Sequence, residues 1–366
     1  MTESKRKAGF AMILKFILIG VAALIIGTVL VVAGARAVNY RSNHITAENG
    51  IDEGIYVNLG GQEQYLLIRG ENKDNPVIIW LHGGPASPEG YANYYFQKYL
   101  TADYTVINWD QRGCGRTYFR NKEADPENKT ATFEQLQTDL NDLVDYACQR
   151  FGKEKVIIAG HSCGTVIGSK YALTCPEKVA AFVGVGQFVT MEADTYSYND
   201  ALEKAAAKGY DTTKMVEAYN RYAADPSLTN MMEVRKYTSP YHKAEKSANT
   251  IWTGISSPYM GIDDLRWVLK PMFNMEEFIE INKQQLDALM VTDVRDYGME
   301  YSVPVGFITG SMDWTTPVKY AQDYCDAITA PEKKIALIEG CGHSPQYDDP
   351  EVFCDEFKGM LKEFMN

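Results

Sequence analysis

The chain reads as an α/β protein, with a mainly parallel sheet flanked by helices, an inserted helical cap and an apolar helix at its amino terminus. Three observations predict this. Runs of strand length and strand character recur at Val77–Leu81, 104–109, 156–159, Val179–Val185, 303–308 and 334–339. Segments of helical periodicity separate them, which is the alternation that builds a parallel sheet. Between about residues 190 and 299 the strand signal fades, and helical stretches such as 198–208 and 275–290 take over.

The elements follow in chain order. Residues 16–34 carry no charge, and these nineteen residues approach the roughly 20 that cross a bilayer as a helix. Lys5, Arg6 and Lys7 precede the run, Lys15 marks its edge, and Arg36 and Arg41 follow. That asymmetry favours a cytoplasmic amino terminus and an outward-facing body, with the lipid bilayer as partner through this helix. Ala35-Arg36-Ala37 also offers a small-x-small cleavage pattern, the alternative of a removed signal peptide, although the run exceeds the ~7–15 residues of a signal core. Residues 1–37 are thus tip and anchor, and 38–50 a polar linker. Extended segments near Tyr56 and at 64–69 open the sheet. Over 132–151, Phe133, Leu136, Leu140, Leu143, Ala147 and Phe151 form an apolar stripe, and Thr132 with Gln135 has capping-box spacing. The core comprises 51–190 and 300–366, and 191–299 is the helical cap. Such an insertion covers a site and lines its pocket. Its Tyr196, Tyr198, Tyr219, Tyr222, Met231 and Met232 would suit a compact apolar group.

Net charge is −12, concentrated after the basic amino terminus, which argues against nucleic acid as a partner. Seven cysteines cannot all pair, and no spacing among them suggests zinc; Cys114, Cys163 and Cys341 read as small packing residues in turns. No metal or cofactor is expected. Unspaced cysteines on an outward domain point to an exterior that is not strongly oxidising. Nothing here sets the oligomeric state.

The chemistry concentrates in turns at the carboxyl ends of strands. Gly160-His161-Ser162-Cys163-Gly164 sits between a strand and a helix, the pattern that lifts a serine hydroxyl clear of a sheet. A serine nucleophile requires a histidine base, an acid to orient it and donors for an oxyanion. Of five histidines, His44 is juxtamembrane, His82 and His161 belong to tight turns, and His242 lies in a polar, lysine-rich stretch that reads as solvated surface. His343, in the loop after 334–339, is the candidate base. Asp313 follows 303–308 and satisfies the chain order Ser, Asp, His, whereas Asp348 and Asp349 come after His343. The alternative for Asp313 is a cap for the helix that follows Pro317. His82-Gly83-Gly84-Pro85 turns away from Val77–Leu81, so the Gly84 and Cys163 amides are the candidate oxyanion donors, with Gly83 facing the substrate.

Together with Asn108-Trp109-Asp110-Gln111-Arg112-Gly113-Cys114-Gly115-Arg116-Thr117, Gly310-Ser311-Met312-Asp313 and Gly342-His343-Ser344-Pro345, these segments span nearly the whole globular part. The chain resembles the proline iminopeptidase group of α/β-hydrolases, serine peptidases that remove amino-terminal residues from peptides. The resemblance implies an α/β-hydrolase fold, an acyl-enzyme mechanism on Ser162, His343 and Asp313, a short-peptide substrate, and a framework role for Asp110 and Arg112 behind the His82 turn. Two departures stand out. Ala86 replaces the glycine that usually ends the His-Gly-Gly-Pro-Gly turn. The cap glutamates that hold the substrate's ammonium in that group have no clear copies; Asp194, its neighbour Glu192, and Glu233 are the candidates. An esterase or amidase acting on small uncharged acyl compounds is the alternative, and a non-catalytic hydrolase-like binding protein a third.

Overall fold

Eight strands form one sheet in the computed structural model, which describes residues 3–365. They are β1 (Ile51–Leu59), β2 (Gln62–Gly70), β3 (Val77–Leu81), β4 (Thr105–Trp109), β5 (Val156–His161), β6 (Val179–Val185), β7 (Val305–Gly310) and β8 (Lys333–Ile338), in spatial order β1-β2-β4-β3-β5-β6-β7-β8. β1 and β2 form a hairpin closed by Gly60 and Gly61, both at positive φ, as a two-residue turn demands. β2 pairs antiparallel with β4, and every later pairing is parallel. Residues of β3, β4, β5 and β7 are buried throughout, because helices cover both faces of a parallel sheet. β1 and β8 are the two edges, and β8 presents Lys333 and Lys334 at its own.

The amino-terminal helix α1 (Glu3–Asn43) has an exposed apolar surface and is long and apolar enough to cross a membrane. The side chains of Lys5, Arg6 and Lys7 lie outside what the structure describes, as do residues 1, 2 and 366. α1 continues into the segment expected as a polar linker, because its last turns are held on the body. Arg36 Nε donates to the Ile255 carbonyl at 2.9 Å, and Asn39 Nδ2 donates to the Ser256 carbonyl at 2.9 Å.

The central helices are α2 (Phe133–Phe151) and α3 (Cys163–Thr174). Thr132 Oγ accepts the Gln135 amide at 3.1 Å at the start of α2, and Gly152 at φ 62° ends it. Between β6 and β7 the chain forms α4 (Glu192–Ala207), α5 (Thr213–Ala224), α6 (Leu228–Thr238), α7 (Thr250–Ile255), α8 (Ile262–Phe273), α9 (Met275–Ile281) and α10 (Lys283–Met290). The single helix expected over 275–290 is two. Buried Asn282 breaks it at φ −108° and ψ 8°, and its side-chain amide bonds the Phe278 carbonyl. α11 (Val318–Ala327) and α12 (Pro350–Phe364) complete the layers.

Candidate active site

Ser162 is the residue at which β5 turns into α3, and its backbone sits at φ 53° and ψ −123°, a region that costs a non-glycine residue of order 1–3 kcal/mol. Its neighbours show why the turn needs glycine. A Cβ on Gly160 would lie 2.6 Å from the Gly164 carbonyl oxygen, and one on Gly164 would lie 2.2 Å from the Leu81 carbonyl oxygen. The Ser162 amide is tied to the Val185 carbonyl at 2.9 Å, which locks the strained conformation onto the sheet. Gly83 lies against it, since a Cβ there would be 3.0 Å from the Ser162 Cβ.

Asp313 is buried beyond β7, and its carboxylate has four donors. Oδ1 accepts the amides of Thr315 and Thr316 at 2.8 and 2.9 Å, and Oδ2 accepts Thr316 Oγ and His343 Nδ1, both at 2.8 Å. Burial penalises the charge, but His343 and the Thr316 donors outweigh it and hold the carboxyl below its ordinary value. An ionised carboxylate only accepts, so the proton on this bond belongs to His343 Nδ1 and Nε2 is left with its lone pair. The His343 loop is held in turn: its carbonyl bonds His161 Nε2 at 3.0 Å, and Gly186 at φ 54° lies so close that a Cβ would be 3.2 Å from the imidazole. No hydrogen bond joins Ser162 to the His343 ring among the described residues; the two border one cleft with Gly83 and Gly84. The Gly84 and Cys163 amides border the adjoining cavity, and neither donates to another group among the described residues.

The cap candidates separate. Asp194 is buried at the start of α4, but Arg235 of α6 takes both its oxygens, at 2.7 and 3.1 Å. Glu192, with 70 % of its side chain exposed, faces Arg295, and Glu233 pairs with Arg221 at 2.7 Å on the cap surface. Neither borders the Ser162 cavities, because each is drawn outward by a solvent-accessible arginine. Among the described residues none of the expected tyrosines borders these cavities. Tyr198 stacks on Tyr219 at 3.8 Å and Tyr196 on Trp314 at 6.0 Å, and Tyr222 packs in the same cap cluster. Met232 is exposed, whereas Met231 reaches the cavity with Phe188, Leu228, Leu286 and Leu289. His242 is not a solvated surface residue. Its ring stacks on Trp314 at 4.3 Å and Nε2 bonds Asp200 at 2.9 Å, and burial pushes its pKa down.

Three residues that motif reading passed over border the site. Arg235 faces Ser162 with 37 % of its side chain accessible. Glu89 borders the same cleft; Trp80 Nε1 donates to it at 2.8 Å and His161 lies 3.6 Å away. Burial opposes its charge, but His161 and Trp80 hold its carboxyl below the ordinary value. Thr316 touches both Asp313 and His343. Only Thr316 carried a sequence signal, a hydroxyl three residues after an aspartate in a turn.

The Asp-Gln-Arg-Gly segment is framework. Gln111 N donates to His82 Nε2 at 3.3 Å, and Arg112 is buried on Asp139 at 2.6 and 2.8 Å and on the Gly60 carbonyl at 2.8 Å. Arg116 bonds Asp264 of α8 at 2.9 and 3.0 Å, tying core to cap. Ala86 adopts φ 59°, which accounts for glycine at that place in related turns. All seven cysteines are free.

Comparison with known proteins agrees with this architecture. The α/β-hydrolase fold family matches residues 76–350. A proline iminopeptidase of Neisseria meningitidis serogroup A is 32 % identical over 312 residues, covering 81 % of this chain and 92 % of that protein. A probable aminopeptidase of Bacillus subtilis (strain 168) is 23 % identical over 309 residues, covering 82 % and 93 %. Among solved structures, a bacterial membrane phospholipase A described as a virulence factor superposes with a TM-score of 0.61 at 16 % identity, covering 98 % of this chain and 99 % of that one. A proline iminopeptidase of Mycobacterium smegmatis gives 0.59 at 20 % identity, covering 86 % and 99 %. The chain belongs to the α/β-hydrolase fold family, in its proline iminopeptidase-like group.

Proposed function

We propose that the chain is a membrane-anchored serine hydrolase that releases amino-terminal residues from short peptides through an acyl-enzyme, with its body outside the cytoplasm. The 2.8 Å bond between His343 Nδ1 and buried Asp313, facing a strained Ser162, carries this reading. His343 Nε2 takes the Ser162 hydroxyl proton as Oγ attacks the carbonyl carbon. The Gly84 and Cys163 amides receive the oxyanion, placed where donors act on charge that exists only in the transition state. Collapse breaks the carbon–nitrogen bond, and His343 gives its proton to the departing amine. Water then enters by the same base, releases the acid and restores Ser162.

Aminopeptidase action is supported by the relatives and by Glu89, a carboxylate at the cleft that pairs with no arginine among the described residues, its charged neighbour being His161 at 3.6 Å. Glu89 is the candidate for the substrate ammonium, in place of Asp194. Proline and alanine arylamides with free or acetylated amines test this: the free forms should react faster, and Glu89→Gln should erase the difference. Equal rates on blocked and free substrates would overturn aminopeptidase action. They would support the second reading, an esterase or amidase, which the apolar lining from Phe188, Leu286 and Leu289 favours.

A further inference from the structure

Helix α8 has three sectors. Asp264 and Trp267 are buried; Asp264 bonds Arg116 at 2.9 and 3.0 Å, and Trp267 Nε1 donates to the Ala86 carbonyl at 2.8 Å. Those two ties fix the rotation of the helix about its axis. Asp263, Arg266 and Lys270 form a polar flank. At 100° per residue, Ile262, Leu265, Val268, Leu269, Met272 and Phe273 cover the remaining arc, about 140° wide. Packing does not consume this arc. Ile262, Met272 and Phe273 are 78, 76 and 83 % exposed, and on α7, the helix that precedes α8 in the chain, Ile251 and Trp252 are 75 and 44 % exposed. A soluble surface rarely leaves so many large apolar side chains together in water.

α1 gives this face its depth. The uncharged run ends at Ala35, so a helix rising 1.5 Å per residue brings Arg36 to the edge of the hydrocarbon. Arg36 is bonded to the carbonyl of Ile255, the last residue of α7, and Asn39 to that of Ser256. The bilayer boundary and the end of α7 are therefore at one level. Ile251 and Trp252 are about one helical turn, ~5 Å, from that point, a distance the headgroup layer spans. Tryptophan favours that layer, and a helix with one apolar arc and a charged flank lies in it.

We propose that α7 and α8 form a second membrane contact, their apolar face resting in the phospholipid interface beside α1, so that the cap is fixed to the bilayer surface. The proposal rests on the anchor reading above and is independent of the chemistry at Ser162. A second copy of the chain is the competing occupant, but the bonds from Arg36 and Asn39 hold the end of α7 to the anchor helix, which brings bilayer to that end whether or not another copy is present.

The test uses the full chain in phosphatidylcholine vesicles, with photoreactive benzoylphenylalanine placed singly at Phe273, Trp252, Leu24 or Tyr210. The last is also exposed, at 59 %, but lies outside the proposed face. Irradiation should attach phospholipid at positions 24, 252 and 273 at least tenfold more than at 210. In the unlabelled chain, bromine-bearing phosphatidylcholine should quench tryptophan fluorescence, and Trp252→Phe should remove most of that quenching. Labelling at 24 but not at 252 or 273, chain-to-chain adducts at 273, or quenching unchanged in Trp252→Phe would each overturn the docking face and leave the anchor standing. Absence of lipid at 24 would overturn both.

Discussion

Replacing Asp313 by asparagine isolates the orientation of His343 from everything else in the cleft. Asparagine keeps the size of the side chain, and its single oxygen is claimed by the amides of Thr315 and Thr316, which can only donate. The side-chain amide nitrogen then falls where Oδ2 stood, 2.8 Å from His343 Nδ1. Two donors cannot share that bond, so the imidazole shifts its proton to Nε2, the atom that receives one from Ser162 in the proposed mechanism. The base is lost without a change of shape. In serine proteases the corresponding aspartate-to-asparagine change lowers turnover about 10⁴-fold, equivalent to about 5.5 kcal/mol of barrier. Turnover of a proline arylamide and the rate of fluorophosphonate labelling at Ser162 should both fall by about that factor, at unchanged denaturation midpoint. A folded Asp313→Asn protein that keeps more than a tenth of wild-type labelling would refute the tautomer argument and the role of His343 with it.

Asp139→Ala leaves the Arg112 guanidinium, whose side chain is 3 % exposed, without its carboxylate, and should cost about 3–5 kcal/mol in denaturant unfolding; a loss below ~1 kcal/mol would show that Arg112 is not held as an ion pair. Burial, and after it Asp264, raises Asp110 from 3.8 to about 7 against the pull of Arg116. The folded state therefore keeps a proton that the unfolded chain releases in that window, so this group's contribution to stability falls as pH rises through it. Asp110→Asn should gain on wild type from pH 4 to pH 7 and no further above it; a pH-independent difference would contradict the assignment. Arg235→Met releases Asp194 toward the cavity and should lower KM for free-amine arylamides about tenfold, ~1.4 kcal/mol, while leaving acetylated substrates unchanged. Equal shifts for both would mean that Arg235 acts on the acyl group and not through Asp194.

The strands along the chain, and the turns at their ends that carry Ser162, Asp313 and His343, were legible because each depends on local chemistry. A buried parallel strand must be an apolar run, and the turn at its end must carry glycine where a Cβ would strike backbone, as at Gly160 and Gly164. Helix α2 announced itself through a stripe and a cap that act within four residues. The reach of α1 into the linker was not legible, since it is decided by bonds from Arg36 and Asn39 to carbonyls more than two hundred positions away. The split at Asn282 was hidden for a related reason: an asparagine amid helical periodicity becomes a break only when its own amide finds the Phe278 carbonyl.

The cap shows the same limit in its sharpest form. Asp194 is acidic, buried and borders a cavity next to His343, which is all that a position in sequence could promise. Its chemistry is set by Arg235, forty-one residues on, which turns a candidate cation holder into half of an ion pair. Glu89 presents the reverse case. In sequence it is one more acid after a proline-rich turn, yet Trp80 and His161 fix it as an ionised group facing Ser162. Charge type alone therefore says little about what a hydrolase cap recognises. The partner of each charge decides, and here the arginine has claimed the cap acid, while the core acid keeps a histidine and a tryptophan as its partners.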